Sequence, residues 1–440
     1  MSKLRETGYT SALMRAAIQP LLNPQRCFVA CLLLFFAAVS GMYAAKVLTP
    51  RNGETTRSAI VRWREQLQGL DSGENIYARY TYPNPPIMAI MLRPLAELPP
   101  LTGALLWFAL KVGFTLAAFA FVFRLAEDDG VPFPPWAKAV TVLLSLRPVL
   151  GDLMHGNVNL FILFLVAGGL MLYRRRWDFT AGLLIALAIA CKVTPALFLP
   201  YFVWKGAWRT VAGIFAGLGL FLFVVPGIVL GWSENWELLN SWVNQMVTPY
   251  LMGVVTSEHP NQSLPGLIAR LFTHSPSFIE FQNDQPVPSA YHTIVDLGPA
   301  AKWIGKGAMG LFVLAVVTKC RTRTEPRTRS GLGAEFALIT LGMLLFSERT
   351  WKHHAVTLML PFAVLCYQMA VTESPRWRAR LITTLSAAAL LMATTSTGLL
   401  PDDWAKLAQV YGAYTFTFLL LAVACVWILS LSPNAPARAC

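Results

Sequence analysis

Charged residues are scarce in this sequence, and acidic ones are the scarcer kind. Only 13% of its 440 residues are charged, with 23 Asp and Glu against 36 Lys and Arg, while 55% are hydrophobic. The mean hydropathy is +0.51, and several apolar runs approach the length of about 20 residues that crosses a bilayer. This composition excludes an ordinary soluble domain and indicates a polytopic membrane protein.

Three further features of the sequence limit the functions it can have. The net charge of +13 would suggest nucleic acid in a soluble protein, but the basic residues cluster beside apolar runs, which excludes a nucleic-acid partner. The seven cysteines show no CxxC pair and fit apolar packing. Spacing of the HExxH kind is absent, so we expect neither a structural metal nor a cofactor.

The apolar runs predict an all-α polytopic fold with about ten full spans in a single transmembrane domain, residues 1–440. We expect an uncleaved first span and place the spans at about 27–47, 101–124, 138–150, 158–173, 210–230, 300–318, 334–346, 354–371, 380–399 and 409–431. Counting them puts the basic runs 174–176, 319–329 and 376–380 on one side. The positive-inside tendency makes that side cytoplasmic, and two long loops, about 48–100 and 231–299, external.

One apolar segment, residues 179–204, is interrupted by Lys192-Val-Thr-Pro195 and has basic residues at both ends. Because both flanks then lie on the cytoplasmic side, the segment is predicted to enter and return as a broken, re-entrant hairpin with Lys192 near its turn. A charge at membrane depth usually faces a cavity or a partner. The alternative is one kinked helix whose lysine reaches an interface.

The same count places all six histidines on the outer face, together with most loop carboxylates. Outer loops are longer and therefore more polar, which explains part of this distribution. Histidines with carboxylate and amide neighbours nevertheless indicate a site there. The stretch Asp152-Leu-Met-His-Gly-Asn-Val-Asn159 is its most concentrated part, at the mouth of a span.

Five motifs in order resemble one family. They are Tyr82-Pro-Asn-Pro-Pro, Gly156-Asn-Val-Asn159, Ala181-Gly182 through Lys192-Val-Thr-Pro195 to Trp208-Arg209, Asn261-Gln-Ser-Leu264 with Arg270, and Ser347 to Trp351-Lys-His-His354. Together, over about residues 75–400, they are similar to the polytopic glycosyltransferases of family 87, of the C-type superfamily. The resemblance implies a C-type fold and a location in the cell membrane. It also implies inverting transfer of a sugar from a polyprenyl-phosphate carrier, at a site that faces away from the cytoplasm.

The resemblance leaves the general base unassigned. Family members carry an aspartate, closely followed by a tyrosine, soon after the first span, but here residues 52–63 contain no such pair. Candidate catalytic carboxylates are Glu54 near the first span, Asp71 in a turn, and Asp152 beside His155. Glu258 and Glu348 are further candidates, and a chain that has lost its base is also consistent with the sequence.

Substrate-binding residues are expected within the shared motifs. Cations suit the phosphate, and amides or aromatic rings suit the sugar. The candidates are His155, Asn157, Asn159, Lys192, Asn261, Gln262, Arg270, His353, His354 and Tyr82. We therefore predict a hexosyltransferase moving a hexose such as mannose onto a lipid-linked or envelope glycan. A transporter or lipid flippase, and a non-catalytic membrane scaffold derived from the enzyme, are the competing hypotheses.

Overall fold

Helices dominate this chain because long apolar runs can satisfy their backbone hydrogen bonds only internally. The structure is a computed structural model that describes residues 23–48, 58–80, 82–282, 285–322, 327 and 330–431. The first half forms α1 (Pro24–Leu48), α2 (Ala59–Arg62), α3 (Arg64–Gly69), α4 (Ile76–Tyr80), α5 (Pro86–Glu97), α6 (Pro100–Ala126), α7 (Pro135–His155), α8 (Asn159–Arg174), α9 (Asp178–Cys191), α10 (Phe198–Trp204) and α11 (Trp208–Gly219).

The second half is also mainly helical. It forms α12 (Val225–Leu230), α13 (Trp232–Trp242), α14 (Thr248–Leu251), α15 (Leu264–Phe272), β1 (Pro276–Gln282), β2 (Gln285–Tyr291), α16 (Ala301–Lys319), α17 (Ser330–Leu345), α18 (Met359–Val371), α19 (Pro375–Ala393), α20 (Asp402–Val410) and α21 (Ala413–Leu431). Helix α17 is buried along its whole length against α18 and α21 and forms the centre of the core.

Six helical segments of the described chain are long and apolar enough to cross a membrane. They are Pro24–Leu48, Pro100–Ala126, Trp208–Leu230, Gly298–Lys319, Lys352–Val371 and Ala413–Leu431. Helices α8, α9 and α17 are apolar but shorter. The spans expected at 138–150 and 380–399 fall in α7 and α19, each of which carries at least three charged residues. The predicted count of about ten full spans is therefore not confirmed.

The chain is not purely helical. Strands β1 and β2 pair as an antiparallel ribbon within the second long loop, from Pro276 opposite Tyr291 to Gln282 opposite Gln285. The ribbon corrects the prediction of an all-α fold. Its sequence, with Phe278, Ile279 and Phe281 in one strand, favours extended structure over helix once membrane burial no longer selects for helices.

The interrupted segment does return on itself. Asp178 at the start of α9 is ion-paired with Arg327, which also donates to the Tyr173 carbonyl oxygen at 2.7 Å. At the end of α10, the Phe202 ring lies 4.9 Å from the Tyr173 ring. Both ends of the segment therefore lie together, and the break after Cys191 lies at the opposite end. We call these the Arg174 end and the Lys192 end of the molecule.

Two glycines set the position of this hairpin. A Cβ atom on Gly182 of α9 would lie 2.2 Å from the Thr210 carbonyl oxygen and 2.8 Å from Gly213 Cα in α11. Only glycine permits backbones to approach this closely. Helices α9 and α11 consequently run in parallel in direct backbone contact, which is the direction that a returning hairpin requires.

Candidate functional site

The Lys192 end contains a chain of buried polar groups that begins with an ion pair. Lys111 of α6 and Asp152 of α7 are both fully buried, and Lys111 Nζ lies 2.9 Å from Asp152 Oδ2. The other carboxylate oxygen, Oδ1, accepts a hydrogen bond of 2.8 Å from Asn159 Nδ2. The backbone N–H of Leu160 also donates to Oδ2, at 3.3 Å. Both oxygens of Asp152 are therefore occupied.

Lys192 continues this chain into a cavity. Its Nζ donates to Asn159 Oδ1 at 2.5 Å, so the amide of Asn159 bridges Asp152 and Lys192. Helix α9 stops here because the residue before Val193-Thr-Pro195 is extended, with φ −159° at Lys192. The cavity is small, about 20 Å³, and is lined by Asn159, Ile162, Lys192, Thr194, Met343, Leu344, Ser347, Thr350, His354 and Thr357. We call it the Lys192 pocket.

Three histidine rings, with Lys111 and Arg62, lie at the same end of the molecule as this pocket. The rings of His353 and His354 lie 4.7 Å apart, and that of His155 lies 5.5 Å from His353. Lys192, His155, Lys111 and Arg62 are all close enough to His353 to act on its charge. Partial burial lowers the pKa of Arg62 from its usual value, but a guanidinium remains charged at neutral pH. The arrangement favours an anionic ligand.

The remaining candidates of the first motifs differ in exposure. His155 is exposed and Asn157 is half-buried, so both are accessible from outside the core. Tyr82 is fully buried, with its ring packed 5.6 Å from that of Trp63 and 6.2 Å from that of Tyr77. These contacts suit a supporting role for the Tyr82 ring better than stacking on a sugar.

Asn261, Gln262 and Arg270 form a fully buried cluster that we call the loop clamp. The clamp adjoins the pocket through Thr350, whose backbone N–H donates to Asn261 Oδ1 at 2.9 Å. Asn261 Nδ2 donates to the carbonyl oxygens of Thr256 and Glu348 at 2.7 and 2.9 Å. Gln262 Nε2 donates to those of His259 and Gln409 at 2.7 and 2.8 Å. The clamp thus joins the second long loop to α20 and to the segment before His353.

Arg270 completes the clamp by binding backbone only. Its guanidinium donates to five carbonyl oxygens at 2.8–3.2 Å, those of Ser257, Glu258, Asn261, Gln409 and Val410. Burial lowers the pKa of Arg270 to about 10, so it stays protonated at neutral pH. None of the three clamp residues lines the Lys192 pocket, and their contact with substrate stays a prediction.

The other three histidines pack against the β ribbon. His259 stacks 4.4 Å from Phe278, and burial lowers its pKa to about 4. His292 Nδ1 lies 2.6 Å from Ser277 Oγ, and His274 stacks on Tyr291 at 4.6 Å. The histidines that the sequence grouped together therefore form two sets, one at the Lys192 pocket and one in the ribbon.

The candidate carboxylates are spread unevenly. Glu54 and the side chain of Asp71 lie outside the described residues. Glu348 is one third exposed, accepts a 2.8 Å bond from Thr256 Oγ1 and follows Ser347, which lines the pocket. Glu258 is half-buried in the loop clamp. Within the described ranges, no group of three or more His, Cys, Asp or Glu side chains could hold a metal ion.

Sequence reasoning missed two residues of the site. Lys111 is a single cation in an apolar run. It lies 41 residues before Asp152 in the sequence, and only the folded structure shows that the two side chains pair. Arg62 stands in the short amphipathic pattern of the first long loop, where an exposed arginine is ordinary. A charge at mid-span in α6 was the one available signal, because such charges usually have a partner.

Two relatives of this chain carry the name of a mannosyltransferase. The chain is 27% identical over 346 residues to the polyprenol-phosphate-mannose-dependent alpha-(1-2)-phosphatidylinositol mannoside mannosyltransferase of Mycolicibacterium smegmatis, covering 76% of this chain and 71% of the relative. It is 26% identical over 294 residues to the protein of the same name from Mycobacterium tuberculosis, covering 64% of this chain and 60% of that relative.

A solved structure, that of ArnT from Cupriavidus metallidurans bound to undecaprenyl phosphate, matches loosely. Its TM-score is 0.39 at 13% identity, over 90% of this chain and 77% of that one. The sequence profile of glycosyltransferase family 87 matches residues 80–348, which is more than half of the chain. The predicted family and enzyme class are thereby confirmed, and this polytopic chain belongs to glycosyltransferase family 87.

Proposed function

We propose that this protein transfers a hexose, mannose in the first instance, from a polyprenyl-phosphate carrier to a lipid-linked or envelope glycan, with inversion. The observation that carries the proposal is the Lys192 pocket, where a helix break presents a lysine beside Asn159 and His354. Membership of family 87 and the polyprenol-phosphate-mannose dependence in the relatives' names support the donor class.

The chemistry needs one bond to form as another breaks. An oxygen of the acceptor hydroxyl attacks the anomeric carbon from the face opposite the phosphate, and the carbon–oxygen bond to the phosphate breaks. Polyprenyl phosphate leaves with both bonding electrons, and the hydroxyl proton passes to a carboxylate base. Lys192 is suited to stabilise the charge that grows on the leaving phosphate, because a fixed cation in a partly desolvated pocket needs no reorganisation.

Asp152 is suited to hold this lysine in place. It is fully buried, and its two oxygens are bound by Lys111, Asn159 and the Leu160 N–H, so an acceptor hydroxyl has no access to them. Through Asn159 it orients the amide oxygen that receives Lys192. We therefore assign Asp152 a positioning role and seek the base among Glu54, Asp71 and Glu348.

The proposal also covers the fold and the orientation of the protein in the membrane. A C-type architecture with about ten spans, a re-entrant hairpin and two external loops would put the Lys192 pocket on the side facing away from the cytoplasm. The basic residues Arg174, Lys205 and Arg327 lie together at the Arg174 end, where Lys205 pairs with Glu335 at 3.0 Å. This clustering at the opposite end supports a cytoplasmic placement of the Arg174 end.

The direct test uses purified protein in liposomes with labelled polyprenyl-phosphate mannose and a phosphatidylinositol mannoside acceptor. We expect labelled glycolipid and released polyprenyl phosphate, and no transfer from a nucleotide-sugar control donor. Glu54→Gln, Asp71→Asn and Glu348→Gln should include one variant with about 10²–10⁴-fold lower kcat, the loss typical of a missing general base. Absence of transfer from any polyprenyl-phosphate sugar would overturn the proposal.

A further inference from the structure

A second pair of cations lies beside the Lys192 pocket without taking part in it. Arg147 of α7 and Lys352, which precedes His353, are both half-buried. Arg147 Nη2 and Lys352 Nζ donate to the same acceptor, the Thr395 carbonyl oxygen, at 2.7 and 3.2 Å. Two positive side chains thus converge on one uncharged atom.

Their charges are not balanced within the protein. Among the described residues, no carboxylate lies within ion-pair distance of Arg147 or Lys352. Asp402 acts on Lys352 from farther away, and it is already paired with Lys406 at 2.5 Å. The Thr395 carbonyl follows the end of α19, and a helix C-terminus supplies only about half a negative charge. Two neighbouring cations in a partly desolvated place therefore favour an anion from outside.

The pair also keeps donors available for such an anion. A guanidinium has five N–H donors and an ammonium three, whereas the Thr395 oxygen occupies one of each. Planar guanidinium groups with a neighbouring ammonium are well suited to phosphate oxygens. The geometry thus suits a phosphate group better than a single carboxylate.

The surroundings place this site at the depth of lipid headgroups. Leu399 and Trp404, just after Thr395, are 72% and 66% exposed. Trp404 belongs to α20, which also carries Asp402 and Lys406 on its exposed surface. Exposed Trp and Leu beside charged residues are typical of a membrane interface. A phosphate bound here would belong to a lipid.

We propose that Arg147 and Lys352 bind the phosphodiester of the acceptor lipid, while the Lys192 pocket takes the phosphate of the donor. This inference rests on the proposed function for the identity of the two lipids. Lys352 adjoins His353, which lies against Gly151 of α7, so the two phosphate sites are neighbours at one end of the molecule. Separate cations would hold two like-charged lipids side by side, as a transfer between lipids requires.

The test combines kinetics with a binding measurement that needs no turnover. We compare wild type, the double variant Arg147→Gln/Lys352→Gln, and Lys302→Gln, an exposed lysine at the start of α16 that serves as control. In the double variant we expect the KM for a phosphatidylinositol mannoside to rise about tenfold or more, with the KM for polyprenyl-phosphate mannose within about twofold. Thermal stabilisation by phosphatidylinositol, measured against uncharged diacylglycerol, should disappear, and Lys302→Gln should behave as wild type.

Three results would overturn the inference. The first is unchanged stabilisation by phosphatidylinositol in the double variant. The second is an increased KM for the donor with an unchanged KM for the acceptor. The third is lost stabilisation without any change in acceptor KM, which would identify a bilayer phospholipid as the ligand. If no polyprenyl-phosphate sugar is a donor, the proposed function fails, but the stabilisation measurement still decides whether a lipid phosphate binds here. If the double variant does not fold, Lys352→Gln alone carries the test, with Arg147→Lys as the charge-conserving comparison.

Discussion

The Lys192 pocket and the loop clamp are built from the same kinds of residue, yet their bonding differs. In the pocket, Lys192 gives one bond to Asn159 and faces a cavity. In the clamp, Arg270 is completely buried and gives its hydrogen bonds to backbone carbonyls. A polar side chain whose bonds all close within the chain stabilises the fold, whereas one that keeps donors in a cavity is available to a ligand. Four experiments test this difference between pocket and clamp.

Asp152→Asn should give the largest effect, because Asp152 belongs to both kinds of bonding. The change leaves Lys111 charged and buried without its partner, which typically costs about 3–5 kcal/mol of folding free energy. It also removes an acceptor for Asn159 and so disturbs Lys192. We expect loss of thermal stability in detergent together with loss of transfer activity.

The double variant Lys111→Met/Asp152→Asn is the control for that experiment. It removes the unpaired charge, so stability should largely return while activity stays low. Recovery of full activity together with stability would contradict a positioning role for Asp152.

Lys192→Met should lower kcat by about 10²–10³-fold, the usual cost of losing one group that stabilises charge in the transition state. The thermal midpoint should change little, because methionine fills a similar volume and Lys192 has one hydrogen bond to lose. The matched control is Lys302→Met. A native kcat in Lys192→Met would show that the lysine only anchors the hairpin.

Arg270→Met should lower stability while leaving substrate binding nearly unchanged, the opposite of the result expected for Lys192→Met. It leaves buried carbonyl oxygens without donors, and we expect a loss of about 2–3 kcal/mol in the free energy of unfolding. Protein that remains folded should keep a near-native donor KM. Arg79→Met serves as control, since Arg79 forms an exposed pair with Glu74 that contributes less than about 1 kcal/mol. A specific loss of donor affinity would place Arg270 in the substrate site.

The smallest effect concerns pH and the ribbon. His259 has a pKa of about 4 in the folded protein because burial disfavours its charged form, against about 6.5 when unfolded. The unfolded state binds the proton more readily than the folded state. The contribution of neutral His259 to the free energy of unfolding is therefore fully present above about pH 6.5 and is lost as the pH falls towards 4. Because His259 is only half-buried, solvent screens part of this effect, and we expect a modest fall in the thermal midpoint as the pH is lowered through this range.

His259→Gln should reduce that acid sensitivity, while His274→Gln, which changes a ring stacked on Tyr291, should leave it in place. Equal acid sensitivity in His259→Gln and wild type would assign the effect to another group.

Local signals predicted the hairpin but not the partners of its lysine. Lys192-Val-Thr-Pro195 favours the end or a kink of a helix, because proline lacks a donor and restricts the residue before it. The basic flanks added the direction of return. By contrast, the Lys111–Asp152 pair and the Arg147–Lys352 pair join elements 41 and about 200 residues apart, and no local pattern encodes such distances.

The two asparagine motifs illustrate the same limit. Asn159 and Asn261 both stand in short polar stretches that open apolar helices, so the sequence treats them alike. Only the packing distinguishes an amide that bridges Asp152 to a pocket from one that joins a loop to neighbouring carbonyls.

The glycine contact between α9 and α11 fixes how far along the helix axis Lys192 lies. Gly182 is ten residues from Lys192, about 15 Å along a helix, and its backbone contact with Thr210 and Gly213 permits no sliding. The depth of the lysine is therefore fixed by residues that carry no functional group at all. A methyl group added at Gly182 would meet the Thr210 carbonyl oxygen and push α9 away from α11, so we expect it to displace Lys192.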